Sequence, residues 1–279
     1  MENFKLTDCH IHSNVSPDCA ESMETMVQAA TERGIATLCF TDHCDLIEFY
    51  DDKIGIGKPK PDAYARWARG YARIERVRQQ YGKQIEILHG MELGEIIRDP
   101  ERAREFSEKA ENLDFMLGSV HALGNDDLYF LPYPNMEKCR EITRLYLDDN
   151  IQLATLNIAD SIAHIGFSNR YMMARAGLMV DIMDYEDQLR EIFQIVIETG
   201  RSIELNTSGM RRNTRHPFPD FPALQLYAQM GGTRVTLGSD AHTPGDVGMH
   251  LGEAMAMMKE AGLPGVTVYR KRQPELLKF

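Results

Sequence analysis

The chain has 279 residues, of which 43% are hydrophobic, so it can bury a sizeable core, and barrels of alternating strands and helices reach this size as one domain over 1–279. A formal net charge of −11 makes it a poor host for long nucleic acid, and no apolar stretch approaches the roughly 20 residues needed to cross a bilayer. The five cysteines (Cys9, Cys19, Cys39, Cys44 and Cys139) are odd in number and form no C-x-x-C pair, which argues against a disulfide framework or a zinc finger.

Met1 to Lys5 leads into the first predicted strand without a basic start and apolar run, so a soluble cytoplasmic protein is expected. Leu6 to His12 reads as a strand and Glu21 to Arg33 as a helix stopped by Gly34. Ile35 to Phe40 is an apolar strand, Lys53 to Pro61 a loop, and Asp62 to Tyr81 a long helix. Gln84 to Leu93 is the next strand. Pro100 to Asn112 is a helix with proline at its start, and Phe115 to Val120 is a strand. An aromatic loop, Asp126 to Pro134, precedes a helix over Met136 to Leu156. The strand Ser161 to Ile165 follows, then a helix over Tyr185 to Glu198 and a strand over Ser202 to Asn206. Phe221 to Met230 is a helix, Thr233 to Leu237 a strand, Gly248 to Ala261 a helix, and Val266 to Tyr269 a last short strand. About seven strand–helix units predict a closed parallel barrel with its chemistry at the carboxyl ends of the strands.

Six of the nine histidines fall at those ends. They lie in Asp8-Cys9-His10-Ile11-His12, Thr41-Asp42-His43, Ser119-Val120-His121, Ala163-His164-Ile165 and Gly238-Ser239-Asp240-Ala241-His242, and Glu92 closes another strand. His10 and His12, two apart on a strand, share a face. Imidazoles suit zinc, iron and manganese, and carboxylates add charge for divalent ions, so the set predicts a multinuclear metal site. Any one of these histidines alone reads more readily as a polar residue near a loop, and only the six together make that reading poor. Cys9 and Cys44 read as small buried residues rather than ligands. His89 reads as a buried hydrogen-bonded residue, His216 as a surface residue, and His250 ranks below the six.

With these motifs the chain resembles the polymerase and histidinol phosphatase (PHP) superfamily, and within it the histidinol-phosphate phosphatases. The likeness runs from Asp8 to about Glu253. It is carried by D-C-H-I-H, S-P-D at Ser16 to Asp18, F-T-D-H, G-M-E, S-V-H and A-H-I-G. N-T-S-G-M-R from Asn206 and G-S-D-A-H-T-P-G-D-V-G from Gly238 narrow it to the phosphatase branch. The resemblance implies a distorted (β/α)7 TIM-like barrel and three divalent ions. His10, His12, Glu92 and Asp240 would hold one ion. Glu92, His121 and His164 would hold a second, and Asp18, His43 and His242 the third. Asp18 stands where some relatives have histidine. Asp8 and Asp42 are expected to orient ligand imidazoles.

The expected reaction is hydrolysis of a small phosphomonoester, histidinol phosphate in histidine biosynthesis, through a metal-bridging hydroxide. Basic residues stand at the positions of Arg170 and Arg211 in the similar phosphatases, so both are expected to clamp phosphate. His242 or a metal-bound water would protonate the leaving group. Asp45, Glu48 and Glu95 are the carboxylates considered for the substrate amine. Three alternatives stay open: a related enzyme for another small ester or short nucleotide, a non-enzymatic metal-stabilised module, and a metallo-amidohydrolase.

Overall fold

The computed structural model describes residues 6–46, 63–124 and 126–279. Its first strand, β1 (Leu6–Ile11), pairs in parallel with β2 (Ile35–Phe40). Between them runs α1 (Met23–Glu32), whose amino end is capped by the Ser22 side chain and whose buried face is Met23, Met26, Val27 and Ala30. After Phe40 the chain steps over Thr41 and Asp42 into the short β3 (His43–Asp45). Then come α2 (Ala63–Tyr81) and β4 (Glu86–Gly94), a long strand. β4 pairs with β2 along Glu86 to His89, and with β3 along Glu92 to Gly94.

α3 (Pro100–Lys109) leads to β5 (Phe115–Ser119), and a small hairpin follows of β6 (Ala122–Leu123) and β7 (Asp126–Asp127). Next are α4 (Met136–Leu156), β8 (Ser161–Ile162) and α5 (Ser168–Ala176). α6 (Glu186–Glu198), β9 (Ser202–Asn206), α7 (Phe221–Gln229), β10 (Val235–Gly238) and α8 (Leu251–Glu260) complete the alternation. The sheet runs β1-β2-β4-β5-β8-β9-β10. It closes where Asp240 N donates to His10 O at 2.7 Å and His12 N donates to Ala241 O at 3.0 Å. The strands β5, β8, β9 and β10 are buried at every position, as expected of parallel strands covered on both faces.

Several elements depart from the sequence reading, the short β3 and the β6–β7 hairpin among them. The last short strand is one arm of a hairpin, β11 (Gly265–Arg270) with β12 (Gln273–Lys278). It seals the end of the barrel away from the histidines. Val268 and Tyr269 pack with Cys9, Cys39, Leu88 and Phe115, and the Tyr269 hydroxyl donates to Asp160 O at 2.9 Å. α5 was not anticipated: its buried face is only Ser168, Asn169 and Met172, too short for a periodic apolar signal. The strand carrying His164 ends at Ile162, because His164 leaves extended geometry with φ +26°. The predicted loop Lys53 to Pro61, and Glu48 before it, lie outside the described residues.

Candidate metal centre

The step from β2 to β3 places His43 opposite Glu92 in strand register. β1 brings His10 and His12 to the same end, with ring centroids 5.0 Å apart. The turns after β5, β8 and β10 add His121, His164, Asp240 and His242. Glu92 is completely buried at the middle of this group. Its two oxygens face different histidines. Oε1 lies 3.0 Å from both His121 Nε2 and His164 Nε2. Oε2 lies 3.2 Å from His10 Nε2, 3.7 Å from His12 Nε2 and 2.7 Å from His43 Nδ1. Asp240 Oδ1 stands 3.3 Å from His12 Nε2 and 3.9 Å from His10 Nε2. At the outer side, Asp18 Oδ2 lies 3.1 Å from His242 Nε2 and 3.5 Å from His43 Nε2. Six strand ends, those of β1, β2, β4, β5, β8 and β10, thus deliver all nine residues anticipated as ligands into one connected cluster.

The outer nitrogens of the rings have their own partners, and here the sequence reading needs correcting. Asp8 does not touch an imidazole. It accepts from Ser239 N and Oγ, at 2.8 and 2.6 Å, and from Gly248 N at 2.9 Å, so it ties the Gly238 turn to β1. Asp42 accepts from Ser13 and Ser16, and reaches His12 through a relay. Ser16 Oγ donates to Asp42 Oδ1 at 2.8 Å and lies 3.2 Å from His12 Nδ1. The carboxylates directly on ring nitrogens are two others. Glu204 Oε1 is 2.6 Å from His10 Nδ1, and Asp45 Oδ1 is 2.9 Å from His121 Nδ1. A glutamate in a wholly buried strand and an aspartate two residues past a ligand carry no spacing signal, so sequence alone did not single out these roles.

Burial would lower the pKa of His10, yet Glu204, Glu92 and Asp240 together hold it well above the usual value. His43 and His121 are raised the same way, His43 to about 10. Burial would raise Glu92, but His43, His10 and His121 outweigh it and keep the carboxyl ionised. His12 and His164 go the other way: burial lowers both, and for His12 the neighbouring His242 and His43 add to it. The cluster therefore holds its carboxylates as anions and neutralises them with protons on some rings, while two rings stay neutral with bare nitrogens.

These residues fit a divalent metal centre. Bonds of about 2.0–2.2 Å place two ligand atoms of one ion about 3–3.5 Å apart, close to the separations around Glu92. His12 Nε2 and His43 Nδ1 are buried and make no hydrogen bond among the described residues, although each points at a carboxylate. Ligand atoms converge in the sets His10-His12-Glu92, Glu92-His121-His164 and His12-His43-His242. All five cysteines are buried, and none enters such a set among the described residues. Exposure grades outwards, from nothing at Glu92 to 15% at His43, 24% at His242 and 52% at Asp18.

Arg170 stands at the open side, its Nη1 3.4 Å from Asp240 Oδ2 and its guanidinium over the rings of Phe167 and Tyr171. Arg211 is committed elsewhere. It donates to Ser239 O and Asp240 O, and its Nε faces Asp246 at 3.4 Å. Of the carboxylates considered for an amine, Asp45 is engaged by His121 and Glu95 accepts from the backbone of His121 and Ala122. Glu48 lies outside the described residues. His89 is buried as expected, but its ring stacks on Trp67 and its Nδ1 has no hydrogen-bond partner among the described residues. His216 is half-buried against Phe218, and His250 pairs with Glu253 away from the centre.

A near-closed parallel barrel with a His/carboxylate cluster at its strand ends defines the class, and residues 8–208 match the PHP domain family. The chain belongs to that family. It is 26% identical to a probable histidinol-phosphatase of Clostridium acetobutylicum over 98% of each chain. It is 27% identical to the histidinol-phosphatase of Lactococcus lactis, covering 93% of this chain and 92% of that protein. In structure it is similar to histidinol phosphate phosphatase from Lactococcus lactis, solved in complex with zinc, L-histidinol and phosphate. That match has a TM-score of 0.84 at 22% identity and covers 97% of this chain and 99% of that one.

Proposed function

We propose that this chain is a metal-dependent phosphomonoesterase that converts L-histidinol phosphate and water to L-histidinol and phosphate. The observation that carries the chemistry is Glu92, buried with one oxygen turned to His121 and His164 and the other to His10, His12 and His43. The substrate rests on the histidinol-phosphatases to which the whole chain is similar.

In this reading His10, His12, Glu92 and Asp240 hold one ion, Glu92, His121 and His164 a second, and Asp18, His43 and His242 a third. Bound zinc, iron or manganese would acidify coordinated water towards neutrality and offset charge on phosphate oxygens. The protein's own residues orient the ester. Arg170 is stacked and ion-paired at the open side, so its remaining N–H groups are pre-aimed for phosphate oxygens. Arg211 holds the Ser239 and Asp240 carbonyls and so fixes the Asp240 side chain, a positioning role in place of the phosphate contact expected from sequence. His242 presents Nε2 to Asp18, while its Nδ1 lies 3.2 Å from Asp240 O. With one nitrogen for an ion and the other for a carbonyl, it has none left to protonate a leaving alkoxide. We assign it as a ligand rather than the general acid.

The test is phosphate release from histidinol phosphate beside a panel of small phosphomonoesters, with enzyme reconstituted separately with zinc, iron and manganese. A large kcat/KM preference for histidinol phosphate is expected. Comparable weak rates across the panel would move the protein to another phosphoesterase branch, and no turnover with any metal would overturn the enzymatic reading. Arg170→Ala should raise KM for every ester in the panel, because the contact is to phosphate.

A further inference from the structure

Glu204 lies in the middle of β9, is buried, and touches both halves of the inner centre without belonging to either. Oε1 is 2.6 Å from His10 Nδ1. Oε2 accepts from His164 N at 2.9 Å and from Asn206 Nδ2 at 3.2 Å. His10 faces the first ion position and His164 the second.

Resting on the metal-centre reading above, we propose that Glu204 is a positioning residue that couples the two inner ion sites. One carboxylate sets the ring proton of His10 and clamps the backbone of His164. The first part follows from donor and acceptor chemistry. When an ion takes Nε2, the one remaining ring hydrogen of His10 sits on Nδ1, where Glu204 Oε1 accepts it at 2.6 Å. The second follows from backbone strain. His164 has φ +26°, where a side chain with a Cβ rarely sits. Such a conformation persists when its surroundings over-determine it. Here the N–H is held by Glu204, and the carbonyl accepts from the Tyr146 hydroxyl at 3.0 Å.

A neutral amide of the same shape cannot do both jobs. Glutamine has one acceptor oxygen and an NH2 group. If the NH2 faces His10 Nδ1, the ring proton moves to Nε2 and blocks ligation. If it faces His164 N–H, donor meets donor and the strained backbone is released. Either orientation damages one ion site directly and the other through the shared ligand Glu92.

Two measurements test this. In zinc-loaded wild-type protein, long-range 1H–15N spectra of the histidine rings should show His10 protonated at Nδ1 and metal-bound at Nε2. A ring protonated at Nε2 would overturn the proposal, whether or not any variant folds. In Glu204→Gln, competition with a zinc chelator should show affinity reduced about 10–100-fold for two ions together. The absorption spectrum of the cobalt-substituted variant should change as well. Wild-type affinity and spectrum in that variant would refute the coupling while leaving the metal centre intact. A wild-type protein that takes up no zinc would refute the metal centre itself.

Discussion

Gly94→Ala should impair the centre without unfolding the protein. Gly94 ends β4, two residues after Glu92, and pairs with Asp45 in register. A Cβ at this position would overlap Asp45 Oδ1 outright and lie 3.2 Å from His121 Nδ1. The backbone there is not left-handed, so the added methyl meets a steric problem and no conformational one. Asp45 is partly exposed and can swing into solvent, which keeps the stability cost at or below about 1 kcal/mol. The consequence falls on His121, whose Nδ1 then loses the carboxylate at 2.9 Å. Loss of such an outer partner typically costs about 10–100-fold in metal affinity or activity, or about 1.4–2.7 kcal/mol of transition-state stabilisation. The assay is kcat/KM for phosphate release in Gly94→Ala, Asp45→Ala and the double variant, beside the melting temperature in chelator. Both single changes remove the same contact, so the double variant should lose little more than either alone. Wild-type kcat/KM in Gly94→Ala, or losses that multiply in the double variant, would refute the reasoning.

Glu92→Gln should lower zinc content by more than one ion per chain, whereas Asp18→Ala, at the exposed edge, should lower it by one; metal analysis after matched dialysis separates them. The same exposure gradient predicts that a weak chelator strips the Asp18-His43-His242 ion first, seen as stepwise loss in a zinc titration. Gly238→Ala would drive a Cβ into the Cβ of His10, which cannot move without its backbone, and into Glu204 Oε1, which His10 Nδ1 holds. Its cost should reach about 1–3 kcal/mol in urea unfolding of metal-free protein, more than that of Gly94→Ala. Burial and Arg78 lower the pKa of His89 to about 4, with Asp114 only partly opposing. Between about pH 6.5 and pH 4 the unfolded chain binds a proton that the folded chain excludes, so stability is lost as pH falls through that window. From pH 7 to pH 5 metal-free wild type should lose about 2 kcal/mol more than His89→Phe in urea unfolding, and equal losses would refute the assignment.

The alternation of strands and helices was legible because buried parallel strands are short apolar runs and the helices carry a periodic face. Ile35 to Phe40 and Ser202 to Asn206 have the bounds read from sequence, as does the helix from Met136 to Leu156. What was lost needed tertiary information. The break between Phe40 and His43 cannot be seen in a continuous apolar-to-polar run, yet it brings His43 into register with Glu92. The second arm of the terminal hairpin, Gln273 to Lys278, is largely exposed and polar, so no alternation marked it.

The site divides the same way. Histidine is scarce, so six of nine at strand ends stand out, and the carboxylates beside them are read in the same glance. The residues that support those ligands have no such rarity. Glu204 lies in S-I-E-L-N, where a glutamate in an apolar strand looks like one polar position on a half-solvated face. Only barrel closure puts it under His10, 194 residues away in sequence, and beside the strained turn at His164. Asp8 misleads for the opposite reason. Two residues from His10 it resembles an imidazole partner, but its side chain is drawn to Ser239 and Gly248 at the closing seam. A buried carboxylate must find donors wherever the fold supplies them, and the seam supplies three. Ligands can therefore be read from residue type and position along a strand. The choice of which acid orients which ring is made across the barrel, by contacts that no local pattern encodes.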